Sequence, residues 1–343
     1  MSNLPKISIV VPVHNAQEYL DESIGSLINQ TLNNIEIICV DDASSDNSLE
    51  KLNELALTDD RIKVLHNDVS QSALGARKKG IESAKGEYIM FLDADDFLSV
   101  DGCENAYNKI VAENVDILQF SSEVVNCSGT FQPNIDGVKK FLKPYQNRLE
   151  GIDILDRCFK DSLYSYNLAS KIIKAEICKK SVKDIANVYM PFAEDMYMYF
   201  VIAYFAKSYI GYEGKPVYNY CYGRGISGKK EISPQKLEKL CCHSITVKEL
   251  KKFCDSKDIK YDSILKGYYN DWLNMCVRAS SKVEDKNTAY EILYKYWDKE
   301  LVDFSLDYNR LRKLKKVSDK LIFMGSLCGK NGISYMLKIV FNK

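Results

Sequence analysis

The stretch Ile7-Ser8-Ile9-Val10-Val11-Pro12-Val13-His14-Asn15 decides the fold. A short β-branched run closed by a polar turn reads as a strand, and behind it Leu20, Ile24, Leu27 and Ile28 recur on one helical face. The alternation repeats: a strand over 35–40, a helix from about Ser48, a strand over 62–65, a helix over 73–84 and a strand over 88–92. Strands this apolar, separated by helices, predict a mostly parallel sheet covered by helices on both faces. Pro12 fits a chain leaving the sheet, and Asn15 with Glu18 three residues on has the spacing of a capping box. Further strands are expected over 117–120 and 217–220, and a helix over 194–206.

After Ser233-Pro234 the texture changes to long amphipathic stretches rich in Lys, Leu, Tyr and Glu. The expected organisation is therefore an α/β domain over 1–233, in two halves over 1–100 and 101–233. A helical C-terminal region over 234–343 follows. A length of 343 residues suits one full domain and a smaller one.

Charge and cysteine content exclude several classes. Lys plus Arg and Asp plus Glu are both 47, so no net field favours nucleic acid. The 11 cysteines show neither a CxxC pair nor framework spacing, and with no signal-peptide pattern the expectation is a reducing cytoplasm. Cys241, Cys242, His243 and Cys254 lack zinc-ligand spacing, and the three cysteines read as ordinary buried thiols. No run of 18 apolar residues is present to span a bilayer.

Acids gather where strands end, which is where open α/β sheets bind ligands. Val40-Asp41-Asp42-Ala43-Ser44-Ser45-Asp46 places two carboxylates beyond the second strand, either to accept hydrogen bonds from a uracil or ribose or to cap the next helix through Ser45 or Asp46. Phe91-Leu92-Asp93-Ala94-Asp95-Asp96 puts three acids in four residues beyond the fourth. Such acids repel one another unless a divalent cation or donors compensate, and that ion also neutralises charge on a departing diphosphate.

Taken with Gly75-Ala76-Arg77 and Ala84-Lys85-Gly86-Glu87-Tyr88-Ile89, these segments resemble the inverting family-2 glycosyltransferases with the GT-A fold. The match is close over about the first 100 residues, and it implies a catalytic domain over 1–233 with a nucleotide-binding half over 1–100 and an acceptor half over 101–233. Carried over by position, the resemblance implies that Asp42 contacts the base, Arg77 the nucleotide, Asp93 the ribose side and Asp95 a Mn²⁺ or Mg²⁺ ion. Pro12, Val13, Asn15, Asp41 and Ala94 complete the nucleotide site, with Asp96 and Glu194 as supporting acids. His14, Ala43 and Lys78 depart from the family pattern, where Tyr, Gly and Asn are common.

Met190-Pro191-Phe192-Ala193-Glu194-Asp195-Met196 resembles the family's Glu-Asp element, which beside the upstream motifs makes Asp195 the expected general base; by themselves the two acids read as the start of a helix. Tyr218 to Ser227 resembles the mobile segment that closes on the diphosphate, with Arg224 between Gly223 and Gly225. Asn167 to Lys171 resembles a lysine-containing element to which no role is assigned. Tyr197, Phe200, Val201 and Tyr204 fall at helical spacing and are expected in the core.

Other enzyme classes fit less well. Pro12-Val13-His14-Asn15-Ala16 has no glycine-rich phosphate turn, and neither Gly211–Pro216 nor Gly325–Asn331 has P-loop spacing. A sugar nucleotidyltransferase would share the acids and the metal, and an inactive sugar-binding scaffold is the non-enzymatic alternative. Processive synthases carry a Gln-x-x-Arg-Trp element, and neither Trp272 nor Trp297 has that context. The expectation is thus transfer of one sugar, UDP-linked, to a lipid-linked or protein-linked glycan in bacterial capsule, exopolysaccharide or glycoprotein synthesis.

From Leu306 to Lys343, nine basic residues stand against Asp307 and Asp319. Ile333, Met336, Leu337, Val340 and Phe341 form one apolar face there. That pattern suits peripheral contact with an anionic membrane, or packing on the protein with the lysines solvated.

Overall fold

The computed structural model of the chain describes residues 4–127, 134–224 and 232–309. The basic tail and its apolar face, Gly225 and Ser227 of the expected mobile segment, and Gly325–Asn331 lie outside them. The chain divides into two compact units, Met1–Lys230 with Ile245–Tyr268, and Glu231–Ser244 with Tyr269–Lys343. Residues 245–268, which the sequence reading places in the C-terminal region, thus belong to the first unit.

The first unit alternates β1 (Ile7–Val13), α1 (Leu20–Ile28), β2 (Ile35–Asp42), α2 (Ser48–Ala56), β3 (Ile62–Asn67), α3 (Ser72–Ser83) and β4 (Tyr88–Phe91). It continues through β5 (Phe97–Leu98), α4 (Gly102–Glu113), β6 (Ile117–Phe120), β7 (Ser122–Asn126), α5 (Ile135–Leu142) and β8 (Leu149–Glu150). Then come α6 (Asp153–Leu155) with a π-helical turn over Asp156–Lys160, β9 (Lys171–Lys174), α7 (Ala175–Val182), α8 (Glu194–Phe205), β10 (Ser208–Tyr212) and β11 (Tyr218–Tyr222). Eight strands form one sheet in the order β3-β2-β1-β4-β9-β6-β10-β8, and a second sheet runs β5-β11-β7. The α/β class with a mostly parallel main sheet is as expected: β1 to β4 run parallel, while β9 runs antiparallel to both β4 and β6.

The apolar run of β1 suits its place between β2 and β4, with Ile7, Ile9, Val10, Val11 and Val13 buried. Pro12 is tolerated there because of register. The Val10 carbonyl faces β4, where it accepts the Leu92 N–H, so Pro12 two residues on faces the same side, past the last β1–β4 pair at Val10 and Phe91. Its missing N–H therefore removes no ladder bond. Helix α8 is apolar all round, and Met196 to Ala203 are all buried, as a helix inside a domain must be. Tyr197, Phe200 and Val201 are core residues as expected, and half-buried Tyr204 packs edge-on to Phe253 at 5.3 Å.

The capping box is not formed. Helix α1 begins at Leu20 with no side-chain cap, and the Asn15 carboxamide oxygen instead accepts the Ser45 N–H at 2.7 Å, tying the end of β1 to the end of β2. The bond across the sheet satisfies two loops at once, which local capping would not.

In the second unit, α9 (Pro234–Cys241) starts with Pro234 behind Ser233, whose side chain accepts the Lys236 N–H. The start of α10 (His243–Ser256), the end of α11 (Asp262–Ser280), α12 (Lys286–Tyr296) and helical residues over 299–309 follow in this unit. Leu237, Cys241, Cys276, Leu293 and Trp297 share its core. Among the described residues no helix is long and apolar enough to cross a membrane.

Glu36 fixes the start of the sheet, accepting from the Ser8 hydroxyl at 2.5 Å and from the Gly86 N–H at 3.0 Å. A Cβ on Gly86 would lie 2.6 Å from the Ser8 backbone nitrogen, which cannot swing aside. Gly86→Ala is expected to destabilise by about 1–3 kcal/mol in urea denaturation. Gly25→Ala, with nothing within 4 Å of the new methyl, should instead stabilise helix α1 by about 0.5–1 kcal/mol. Equal midpoints for the two variants would contradict this packing.

Candidate active site

Each parallel strand delivers its residues to the same edge of the sheet. β1 ends at Val13, with Ala94 buried close to the core beneath it, β2 at Asp42 and β4 at Phe91, two residues before Asp93. The chain must turn sharply at this edge. Asn15, Ala43, Ser72 and Ala193 all take left-handed backbone conformations, with φ of 51°, 54°, 62° and 55°. The value at Ala43 explains why glycine is common there: a Cβ in that region costs roughly 1–2 kcal/mol.

Arg77, on α3, is 5% exposed and joins the two acidic segments. One terminal nitrogen donates to Asp93 at 2.8 Å and the other to Glu194 at 2.9 Å. Burial opposes its charge, but Asp93, Glu194 and Asp195 outweigh burial and hold its pKa above the usual arginine value. Sequence reasoning assigned Arg77 to the nucleotide and did not foresee this clasp, because its partners lie 16 and 117 residues away. Lys78 is likewise a tie, donating to the Ile185 carbonyl and to Asn187.

The acids divide by how their oxygens are engaged. Asp42 is buried and accepts from Asn67, Ser70 and the Gln71 N–H at 2.7–2.8 Å, which anchors the loop into α3. Asp41 is fully buried, with one oxygen on the Ser44 N–H and His66 and the other without a partner. Of the two proposed helix caps after Asp42, Asp46 accepts the Ser48 N–H at 3.0 Å. Asp96 takes the Tyr218 hydroxyl on one oxygen and the Cys221 N–H on the other, at 2.7 Å, pinning β11 to the acidic loop. His14 closes the gap between β1 and β2 through the Asp42 carbonyl at 2.8 Å.

Asp95 differs: among the described residues no side chain hydrogen-bonds its carboxylate, and burial together with Asp93 pushes its pKa up to about 6. Burial and its two acidic neighbours push Asp96 up to about 8. Asp195 is half-buried at the start of α8. Burial first, then Glu194, push it up to about 7 against the pull of Arg77. A divalent cation fits beside Asp95, where ionised carboxylates are crowded and poorly solvated. No three His, Cys, Asp or Glu residues among those described are grouped as a metal cage, so a bound ion would draw most of its ligands from substrate oxygens and water.

Arg224 lies over this loop, donating to the Asp95 carbonyl at 3.1 Å and pairing with Glu22 at 2.6 Å. Its guanidinium sits 5.1 Å from the Tyr19 ring centre. Neither Glu22 nor Tyr19 carries a sequence signal, since both read as ordinary residues near a helix start. Lys171 is fully buried, bonded to the Ser165 and Asn167 carbonyls and 4.5 Å from the Tyr199 ring centre, and burial lowers its pKa to about 7.

Replacing Arg77 leaves buried carboxylates facing one another. Arg77→Met is expected to cost about 3–5 kcal/mol in urea denaturation, the usual effect of removing one partner from a buried ion pair. Arg77→Lys should fall between it and the wild type, because one ammonium cannot span both acids. A Met variant as stable as the wild type would show that the clasp contributes nothing to folding.

Residues 8–173 match the sequence model of Glycosyl transferase family 2. The chain is 31% identical over 225 residues to the putative glycosyltransferase EpsH of Bacillus subtilis, covering 63% of this chain and 60% of that one. It is 34% identical over 138 residues to WfgD of Escherichia coli, a UDP-Glc:alpha-D-GlcNAc-diphosphoundecaprenol beta-1,3-glucosyltransferase, covering 40% and 51%. It thus spans less than two thirds of the length of these relatives. Its backbone follows that of S. aureus TarS 1-349, solved in complex with UDP, with a TM-score of 0.53 and 18% identity over 89% of this chain and 91% of that one. The acids beyond β2 and β4 and the arginine of α3 all lie within residues 8–173, the part of this chain that matches glycosyl transferase family 2, on a backbone with the GT-A fold.

Proposed function

We propose that the protein is an inverting glycosyltransferase that moves one sugar from a UDP-linked donor to a hydroxyl of a lipid-linked glycan. The observation that carries this reading is the Arg77 clasp: one side chain binds both Asp93, beyond β4, and Glu194, directly before Asp195. The acids assigned to the donor and the acid assigned to the acceptor therefore belong to one charged cluster. The UDP complex of TarS supports the donor, and the lipid diphosphate in the name of WfgD supports the acceptor.

In this reading Asp195 takes the proton of the acceptor hydroxyl as its oxygen forms the new bond to the anomeric carbon. The diphosphate leaves from the opposite face, so configuration inverts. A carboxylate titrating near neutrality suits the task, because its conjugate acid holds the proton more firmly than an ordinary carboxylic acid does. Asp95, with the donor diphosphate, would hold Mn²⁺ or Mg²⁺, which offsets charge on the leaving group. Arg224 stands beside Asp95 and can pair with phosphate oxygens if it exchanges Glu22 for them.

Asp195→Asn is expected to lose roughly 10²- to 10⁴-fold in turnover while UDP affinity stays unchanged. Because the base works only when ionised, kcat/KM should rise about tenfold per pH unit below neutrality and level off above it. Unchanged turnover in Asp195→Asn, or a product that retains the donor's configuration, would sink the mechanism.

The metal role separates two neighbouring acids. Asp95→Asn should lose at least about tenfold in Mn²⁺-dependent UDP binding by calorimetry. Asp96→Asn, at a residue whose oxygens are both bonded within the protein, should stay within about threefold. Equal losses, or transfer undiminished after chelator treatment, would remove Asp95 as the ligand.

A further inference from the structure

Apart from the acidic edge, the first unit holds a cavity of about 720 Å³, within the size range of small-molecule sites. Its walls come from α5, the loop that follows it, the segment 162–166 and Tyr268 of α11. Phe141, Tyr145, Tyr166 and Tyr268 supply aromatic surface, and Lys140 and Lys143 supply positive charge. No carboxylate is among the described residues that line it. Lys143 reaches Glu213 at 3.6 Å, but both side chains are about half exposed, so this rim pair is weak and open to exchange.

Two features suggest a ligand site rather than a packing defect. Tyr166 is braced, stacked on Phe159 at 6.1 Å and 9° and edge-on to Phe141 at 5.4 Å, while Phe141 remains 41% exposed. Ser165 lines the cavity and is 3% exposed, and its hydroxyl has no hydrogen-bond partner. A buried hydroxyl left unpaired costs free energy that a ligand's polar group recovers.

The cavity also adjoins the proposed chemistry. Phe159, beneath Tyr166, packs edge-on to Phe200 of α8 at 4.9 Å, and α8 begins at Glu194 and Asp195. Burial and the charge of Asp195 both push the Tyr166 phenol up, so the field of the proposed base reaches this wall.

We propose that this cavity is the acceptor subsite, with a sugar ring lying against Tyr166 and Phe141 and an anionic substituent of that saccharide held by Lys140 and Lys143. The proposal rests on the transfer reading and adds the acceptor's chemical class and position. Aromatic faces accept the C–H face of a pyranose, while two lysines beside that face, one in a weak rim pair with Glu213, discriminate against a neutral glycan.

The test titrates glucose 1-phosphate and methyl glucoside against the full chain by saturation-transfer NMR, reads inorganic phosphate, which has no carbon-bound proton to observe, by its displacement of glucose 1-phosphate, and keeps UDP at saturation so that the donor site is occupied. Glucose 1-phosphate should bind at least fivefold tighter than either methyl glucoside or phosphate. Lys140→Ala with Lys143→Ala should erase its advantage over the glucoside. Tyr166→Ala should weaken both sugars at least tenfold, and Tyr166→Phe, which keeps the ring, should not. UDP affinity, measured in parallel, should be the same in every variant and reports that each is folded. Failure of the wild type to bind any probe, glucose 1-phosphate binding that survives both Tyr166→Ala and the lysine pair, or phosphate binding as tightly as the sugar phosphate overturns the subsite. Failure of the wild type to bind UDP overturns the transfer reading instead.

Discussion

A guanidinium buried among acids is the constraint on which the site depends. Arg77 gives up hydration that no nonpolar contact replaces, and only the two carboxylates bonded to it make that burial tolerable. One cation nevertheless faces Asp93, Glu194 and Asp195, with Asp95 beside Asp93. Burial first, and the neighbouring acids second, raise the pKa values of acids that Arg77 does not bond, Asp95, Asp96 and Asp195. The same arithmetic leaves room for further positive charge on the Asp95 side and for a proton on the Asp195 side.

Backbone strain at this edge has a separate origin in the chain's turns. Strand ends in a parallel sheet must hand the chain to helices within a few residues, and here Asn15, Ala43 and Ser72 make such turns with left-handed backbone, as Ala193 does between α7 and α8. Each is held by nearby bonds. Asn15 bonds across to Ser44 and Ser45, Ser72 accepts the Met190 N–H, and Ala43 follows an aspartate locked by three donors. Ala193 directly precedes the Arg77 partner Glu194. Pinning one side chain fixes the direction of the next, so much of the polar network serves to aim a few groups.

The parts of the fold that read well from sequence are those with short-range causes. The alternation of β1 to β4 with α1 to α3 follows from apolar periodicity, and the acids stand out because they follow buried strands at once. What was not legible depends on distance. The capping-box pattern at Asn15 and Glu18 lost to a bond with Ser45, 30 residues away. Asp96 reads from sequence as a supporting acid, and no local pattern announces that Tyr218 and Cys221, more than 120 residues on, bond its two oxygens. The antiparallel place of β9, the packing of residues 245–268 with the first unit, and the role of Glu22 beneath Arg224 are likewise settled by partners that no local pattern announces.

This difference in range separates the two halves of the proposed reaction. The donor side is built from loops directly after β1, β2 and β4, where the required geometry ties particular residues to fixed distances from a strand end, and such a constraint is visible as a motif. The cavity assigned to the acceptor is built from α5, the loops after it and one residue of α11, brought together by the packing of Phe159 on Phe200 and of Tyr166 on both Phe141 and Phe159. Aromatic packing accepts many sequences at any one position, so it leaves no spacing to read. A chain can therefore keep the donor motifs intact while its acceptor wall is redrawn, and charge and ring placement in that wall carry the information about which glycan is used.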